Sequence, residues 1–309
     1  MRETAIRNTE GFPTHKEYPE GYKWIELAPP KELPAGYKVI QSDIGEGYKV
    51  VDEAGNEAVS TASRPTNNLG HTNIPFHKTP EEAIADALKY DKRLEKALKY
   101  EGDTMGHCVG GYCPDVVEGR TKIFSLRDRR GEPHVTVEVR PNQHLDYNDW
   151  FNKQPEEIQN RIAQRRMADK NYDIYEGPEY LAAREALPPL INQIKGKGNA
   201  RPIEKYDPYT QDFVKSGKFS AVRDLENTGL FKADPEELGM YLPMAEDIRD
   251  LPVKRSELFM RAQQAGLFPE GQKYLNRSEW ENILRKQYLS EQSAEAARKT
   301  QMGTPPSEG

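Results

Sequence analysis

The residue types that can do chemistry crowd into one stretch: His107, Cys108, Cys113, Arg127, His134 and Glu138 all fall between positions 107 and 138. A cysteine with a nearby imidazole is the pairing of a nucleophile with the base that generates its thiolate. His107 serves Cys108 poorly, because adjacent side chains diverge on a helix and point oppositely on a strand. His134 is the better partner. This gives a Cys108-dependent hydrolase as one reading and a buried structural cysteine, beside Gly110 and Gly111, as the other. A zinc site from His107, Cys108, Cys113 and His134 would lack a second cysteine pair at standard spacing. No metal or organic cofactor is expected. A different team uses Glu138, a histidine (His107 or His134), Arg127 and Lys197. A carboxylate or imidazole base, an imidazole acid and cations around a phosphate are the parts of metal-independent RNA cleavage through the 2′-hydroxyl. Arg127 and Glu138 can equally form a plain cross-strand ion pair, worth about 0.2–1 kcal/mol. The run Gly196-Lys197-Gly198-Asn199 lacks the spacing of a phosphate loop, although a glycine-rich turn can offer N–H groups to an anion.

The elements that must hold these residues are legible in the hydrophobic pattern. Lys122–Arg127 and His134–Val139 read as two strands of a hairpin joined by Asp128–Pro133. Phe124 and Leu126 share one face with Val135, Val137 and Val139, which turns Ser125, Arg127, Thr136 and Glu138 the other way, into an expected water-reachable hollow. Leu190–Lys195 is a third strand candidate. Ahead of the hairpin, Thr79-Pro80-Glu81-Glu82 is a helix start, and apolar residues recur at helical spacing to about Glu101, with Gly102 as the stop. The fold expected is α+β: a small antiparallel sheet packed on the 79–101 helix, with a helical insertion and a helical C-terminal region. Residues 1–76 read as an extended arm with β pieces at Tyr22–Leu27 and at Tyr48–Val51 facing Glu57–Val59; 60–75 read as loop. Residues 77–205 form the core, with the insertion at about 146–189, where Tyr147, Trp150 and Phe151 could stack on bases but are expected to dock the inserted helices on the core. Residues 206–292 read as short helices with Gly and Pro stops, the best formed starting with a capping box at Ser278–Glu281. Residues 293–309 read as a tail.

Composition narrows the class. Of 309 residues, 36% are hydrophobic and 30% charged, so much of the chain is expected outside any core. No apolar run approaches the roughly 18 residues of a membrane span. The polar start MRETAIRNTEGFPTH lacks a secretory pattern, so a cytoplasmic setting with both cysteines reduced is expected. The net charge of −6 argues against a dedicated nucleic-acid coat, yet 120–140 and 193–205 each carry a net +3. Meeting in space, they would present Arg129, Arg130, Gln193, Lys195, Lys197 and Asn199 to a nucleic acid. Otherwise they are ordinary solvated surface.

Four fragments in order carry a resemblance: His107-Cys108-Val109-Gly110-Gly111-Tyr112; Ile123–Arg127; Val135-Thr136-Val137-Glu138; and Gln193-Ile-Lys-Gly-Lys197-Gly198-Asn199. The sequence resembles the PcfJ-like family of conjugative plasmids, phages and other mobile elements. That family's pattern runs a Cys-Val-Gly-x-Tyr segment, an apolar strand ending in Arg, a Thr-x-Glu strand, and a Gln strand leading to Gly-Lys-x-Asn. The resemblance implies a bacterial host cytoplasm and a mobile-element context, with nucleic acid and phage or conjugation proteins as partners. It implies no particular reaction. Two functions are therefore carried forward: a nucleic-acid-binding or ribonuclease-like role, and a non-enzymatic interaction module in a DNA-transfer or virion assembly.

Overall fold

The computed structural model describes residues 9–42, 47–59, 77–142, 147–170, 172–216, 218–233, 255–268 and 271–302. The chain divides into two compact units, Met1–Tyr206 with Gly217–Asp224, and Asp207–Ser216 with Leu225–Gly309.

The first unit is built on a five-stranded antiparallel sheet. Its strands are β1 (Thr14–Glu17), β2 (Lys23–Leu27), β5 (Lys122–Arg127), β6 (Pro133–Arg140) and β7 (Leu190–Lys195), in that spatial order. The fold is thus α+β with an antiparallel sheet, as the alternation predicts. The N-terminal segment is not an arm, however. Leu27 pairs with Ile123 and Lys23 with Arg127, so β2 is an inner strand, and Trp24, Ile25 and Leu27 are at most 1% exposed. Burying three large apolar side chains stabilises by about 1.5–3 kcal/mol each, which explains why this short, proline-flanked piece joins the core.

The β5–β6 hairpin has the anticipated sharing of faces, and its register sets Phe124 opposite Val137 and Leu126 opposite Val135. Its turn is tied by Asp128, whose Oδ1 accepts the N–H groups of Arg130 (2.8 Å) and Glu132 (3.0 Å), and by Gly131 at φ 79°. Asp128 also titrates below the usual carboxylate range. Burial opposes its charge, but those N–H donors and His134 outweigh it.

The expected 79–101 helix is two helices. The first, α1 (Pro80–Lys89), starts as read, with Thr79 Oγ1 accepting from the Glu82 N–H. It stops at Tyr90 because Asp91 caps a second helix, α2 (Lys92–Met105), accepting the Arg93 N–H at 2.6 Å. The break redirects the chain. Through Ala83 and Ala87, α1 packs with Val50 and Ala58, beside the separate two-stranded sheet of β3 (Lys38–Gln41) and β4 (Tyr48–Val51). Helix α2 alone packs on the large sheet, setting Leu94, Ala97 and Leu98 against Ile25, Leu27 and Ile123. Gly102 is not its stop. A Cβ there would come within 2.8 Å of the Gly110 backbone nitrogen, so the glycine lets the following 3₁₀ turn (Cys108–Gly111) lie against the helix. Gly106, at φ 70°, ends the helix. A short α3 (Cys113–Val117) leads into β5.

Between β6 and β7 lie α4 (Tyr147–Asn152), α5 (Glu156–Ala168) and α6 (Pro178–Glu185). Tyr147, Trp150, Ile162 and Tyr180 form their own core, so these aromatics pack the inserted helices against one another in a cluster separate from that under α2, where docking on the core was the expectation. The third strand pairs antiparallel with β6 across this insertion. Residues 220–224 then run parallel to β7 as a strap, with Ile191 N–H donating to Ala221 O (2.9 Å) and Arg223 N–H to Ile191 O (3.0 Å).

The second unit holds α7 (Asp207–Lys215), the antiparallel pair β8 (Leu230–Lys232) and β9 (Tyr274–Asn276), α8 (Arg255–Gln264) and α9 (Arg277–Met302). The β pair was not legible as strand. The capping box sits two residues earlier than expected: Asn276 Oδ1 accepts the Glu279 N–H (2.9 Å), and the Glu279 carboxylate accepts the Asn276 N–H (2.8 Å). The 60–75 loop, the stops at 217, 235, 239, 243 and 252, and tail residues 303–309 lie outside the described residues. Among the described residues, no helix is long and apolar enough to cross a membrane.

Candidate functional site

The strand face that was read as an open hollow is covered by α2. Leu94, Ala97, Leu98, Glu101 and Met105 recur on one side of that helix, so a carboxylate arrives in the middle of the apolar contact. Glu101 and Arg127 are both 0% exposed and joined at 2.5 Å. Ser125 Oγ and Thr136 Oγ1 donate to the same carboxylate, Arg127 donates to Ser125 Oγ (2.7 Å) and Gly131 O (2.9 Å), and the Tyr100 ring lies 5.4 Å from its guanidinium carbon. An uncompensated buried ion costs several kcal/mol, and this network supplies the compensation. Arg127 is therefore not a phosphate ligand, and it does not pair with Glu138.

Further along the same face lies a more open arrangement. Glu138, 3% exposed, accepts from Arg140 Nε at 2.7 Å, Asn192 Nδ2 at 2.7 Å and Thr121 Oγ1 at 3.3 Å. Arg140 is two residues beyond Glu138 on β6 and so shares its face. Asn192 arrives by a bulge: Glu138 pairs with Gln193 and Val139 with Ile191, leaving Asn192 as the extra residue. Asn192 Oδ1 in turn accepts from Arg223 Nη1 (3.0 Å), which the strap beside β7 delivers. Arg120, from the α3–β5 turn, stands on a further side and pairs with Asp115 (2.7 Å) and Glu118. Together these residues, with Pro141 and Leu190, line a cleft of about 280 Å³. One buried carboxylate thus fixes two guanidinium groups, Arg140 directly and Arg223 through Asn192.

The other expected site residues lie elsewhere. His107 Nε2 donates to Gly196 O at 2.6 Å, and Asn199 Nδ2 donates to Gly106 O at 3.4 Å, so both fasten the turn after β7 to the end of α2. Lys197 is exposed on that turn, and Lys195 pairs with Asp224 at 2.7 Å. Cys108 is exposed, its Sγ 3.4 Å from the Tyr112 hydroxyl. That contact, with burial, pushes the Tyr112 phenol up to about 12. His134 is not beside Cys108. Its Nδ1 meets the Tyr206 hydroxyl at 2.9 Å, its ring stacks on Tyr206, and burial holds its imidazole below the ordinary 6.5 despite Asp128. Arg129 reaches Pro19 O, and Arg130 pairs with Asp128 and Glu132 at the hairpin tip. Gln193 faces Glu138 in the register alone. The acid–base team of Glu138, a histidine, Arg127 and Lys197 is not assembled. Among the described residues, no three or more His, Cys, Asp or Glu side chains converge as metal ligands, and His107, Cys108, Cys113 and His134 do not meet.

Sequence reasoning missed Thr121, Asn192 and Arg223, and it counted Arg120 and Arg140 only as part of a charge run. The spacing of Glu138 and Arg140 was the available signal. No curated protein and no solved structure matches the chain. A family model does match, over residues 92–163, which run from α2 through the β5–β6 hairpin into α5 and hold Glu101, Arg120, Arg127, Glu138 and Arg140. Strand β7 and the strap lie beyond the match. The family is described as PcfJ-like protein, and it is this segment of the chain that is similar to it.

Proposed function

We propose that the PcfJ-like core binds nucleic acid by capturing phosphate in the Glu138 cleft, and that it holds the strand without cutting it. The observation that carries this is the buried carboxylate of Glu138 positioning Arg140 and, through Asn192, Arg223. Guanidinium groups held in place before the ligand arrives lose little freedom on binding, and their planar forks match phosphate oxygens. Among the described residues, Arg140 bonds through Nε to Glu138, which leaves its two terminal nitrogens for a ligand. Cleavage is not part of the reading, because neither histidine reaches this carboxylate. The family resemblance supports a setting among plasmid or phage nucleic acids in a bacterial cytoplasm.

The test is fluorescence anisotropy with labelled single-stranded RNA and DNA over a salt series. Binding should weaken steeply with salt. Arg140→Gln and Arg223→Gln should each reduce the slope of log K against log salt by about 1. Lys197→Gln, outside the cleft, should change it less. Absence of salt-sensitive binding, or a double arginine variant that binds like the parent, refutes the proposal.

A further inference from the structure

The cleft is small, and its size bears on which phosphate it takes. Resting on the nucleic-acid reading above, we infer that it selects a phosphate monoester, the terminal phosphate of a strand or a nucleotide, over the diester in the middle of a strand. Ligand pockets run from about 300 to 1,000 Å³, so one of about 280 Å³ lies at the small end, on the scale of a single phosphate with its sugar. Pro141 and Leu190 give the cleft an apolar lining that suits the sugar, and Thr121, Glu138 and Asn192 with the guanidinium groups of Arg140 and Arg223 give it a polar one.

Charge and donor geometry agree with this. The cleft gathers three guanidinium groups, Arg120, Arg140 and Arg223, against two carboxylates, Asp115 and Glu138. Arg120 pairs with Asp115 and Glu118, while the Glu138 network holds the forks of Arg140 and Arg223 at the cleft. A diester offers one charge and two terminal oxygens. A monoester at neutral pH offers nearly two charges and three terminal oxygens, enough to engage both planar forks at once. One additional charge-assisted hydrogen bond, at about 1.5–3 kcal/mol, corresponds to at least about tenfold in affinity.

The experiment uses the full chain and one oligonucleotide in three forms, with a 5′-phosphate, a 3′-phosphate or hydroxyls at both ends, read by anisotropy. A nucleoside monophosphate and inorganic phosphate serve as competitors. The expected result is about tenfold tighter binding of one or both phosphorylated forms than of the hydroxyl form. That preference should vanish in Arg140→Gln and in Arg223→Gln, and shrink below about pH 6, where the monoester loses its second charge. The first two arms tell a 5′ from a 3′ end, and strong competition by the mononucleotide identifies a free nucleotide as the ligand. Equal binding of all three oligonucleotides, still weakened by Arg140→Gln, overturns the monoester inference and leaves nucleic-acid binding standing. Binding of the mononucleotide with no oligonucleotide bound overturns nucleic-acid binding and leaves the monoester selection. No binding of any probe overturns both. Thermal unfolding of each variant, whose replaced side chain is solvent-exposed, shows that the fold is intact.

Discussion

Arg127→Met separates a structural arginine from a phosphate ligand. The substitution keeps most of the side-chain length and removes the charge, leaving Glu101 at 0% exposure with Ser125 and Thr136 as its remaining donors. Removing one partner of a buried ion pair costs about 3–5 kcal/mol. At roughly 2–4 °C per kcal/mol for a unit of 150–250 residues, the unfolding midpoint should fall by about 6–20 °C. Glu101→Gln should be destabilising as well. The double variant should recover part of the loss, because the glutamine amide still serves both hydroxyls and no ion is left unpaired. A double-mutant cycle should therefore show a coupling of about 2–3 kcal/mol. Thermal unfolding by circular dichroism measures all four proteins. Below its lowered midpoint, Arg127→Met should bind oligonucleotides like the parent. A loss under 1 kcal/mol, or a cycle that is simply additive, would refute the buried-pair argument; intact stability with lost binding would return Arg127 to the phosphate.

Two further outcomes follow from the packing. Burial holds His134 below 6.5 in the folded protein, so between about pH 6.5 and that lower value the unfolded chain takes up a proton that the folded chain refuses. Its contribution is complete above about pH 6.5 and lost as pH falls. The midpoint should drop on acidification through this window, and His134→Gln should flatten part of the drop; an imidazole resonance titrating above 6.5 would contradict it. Gly102→Ala should destabilise by about 1–3 kcal/mol, because the new methyl meets backbone atoms of Gly110 and His107 that cannot give way. Gly111→Ala, where nothing lies within 4 Å, should be neutral or slightly stabilising, and equal effects at the two positions in urea unfolding would remove the close-approach argument.

What the sequence conveyed, and what it withheld, divides along physical lines. Alternation in 122–127 and 134–139 found the hairpin and its two faces, since the period of two is a local property. It could not say which face is covered. Here Ser125, Arg127 and Thr136 are buried like Val135 and Val137, because Glu101 arrives from α2 to neutralise Arg127 and accept from both hydroxyls. Helical spacing found α1 and α2 but ran through Tyr90 and Asp91, where a side-chain cap overrode periodicity. Strands Thr14–Glu17 and Lys38–Gln41 were missed because four residues between glycines and prolines carry too little pattern. At the cleft, Arg140 was within reach of the same alternation argument that placed Glu138. Asn192 depends on a bulge and Arg223 on a fold-back parallel contact, and neither leaves a local trace.

The strap along β7 gives the molecule an assembly order. Strands β5 and β6 can pair as soon as residue 140 is made, but the last cleft guanidinium arrives with residue 223, after the entire insertion has been synthesised. A chain ended before that point has the material for every strand of the five-stranded sheet and still lacks Arg223, so the cleft lining is complete only in protein whose translation has passed the strap.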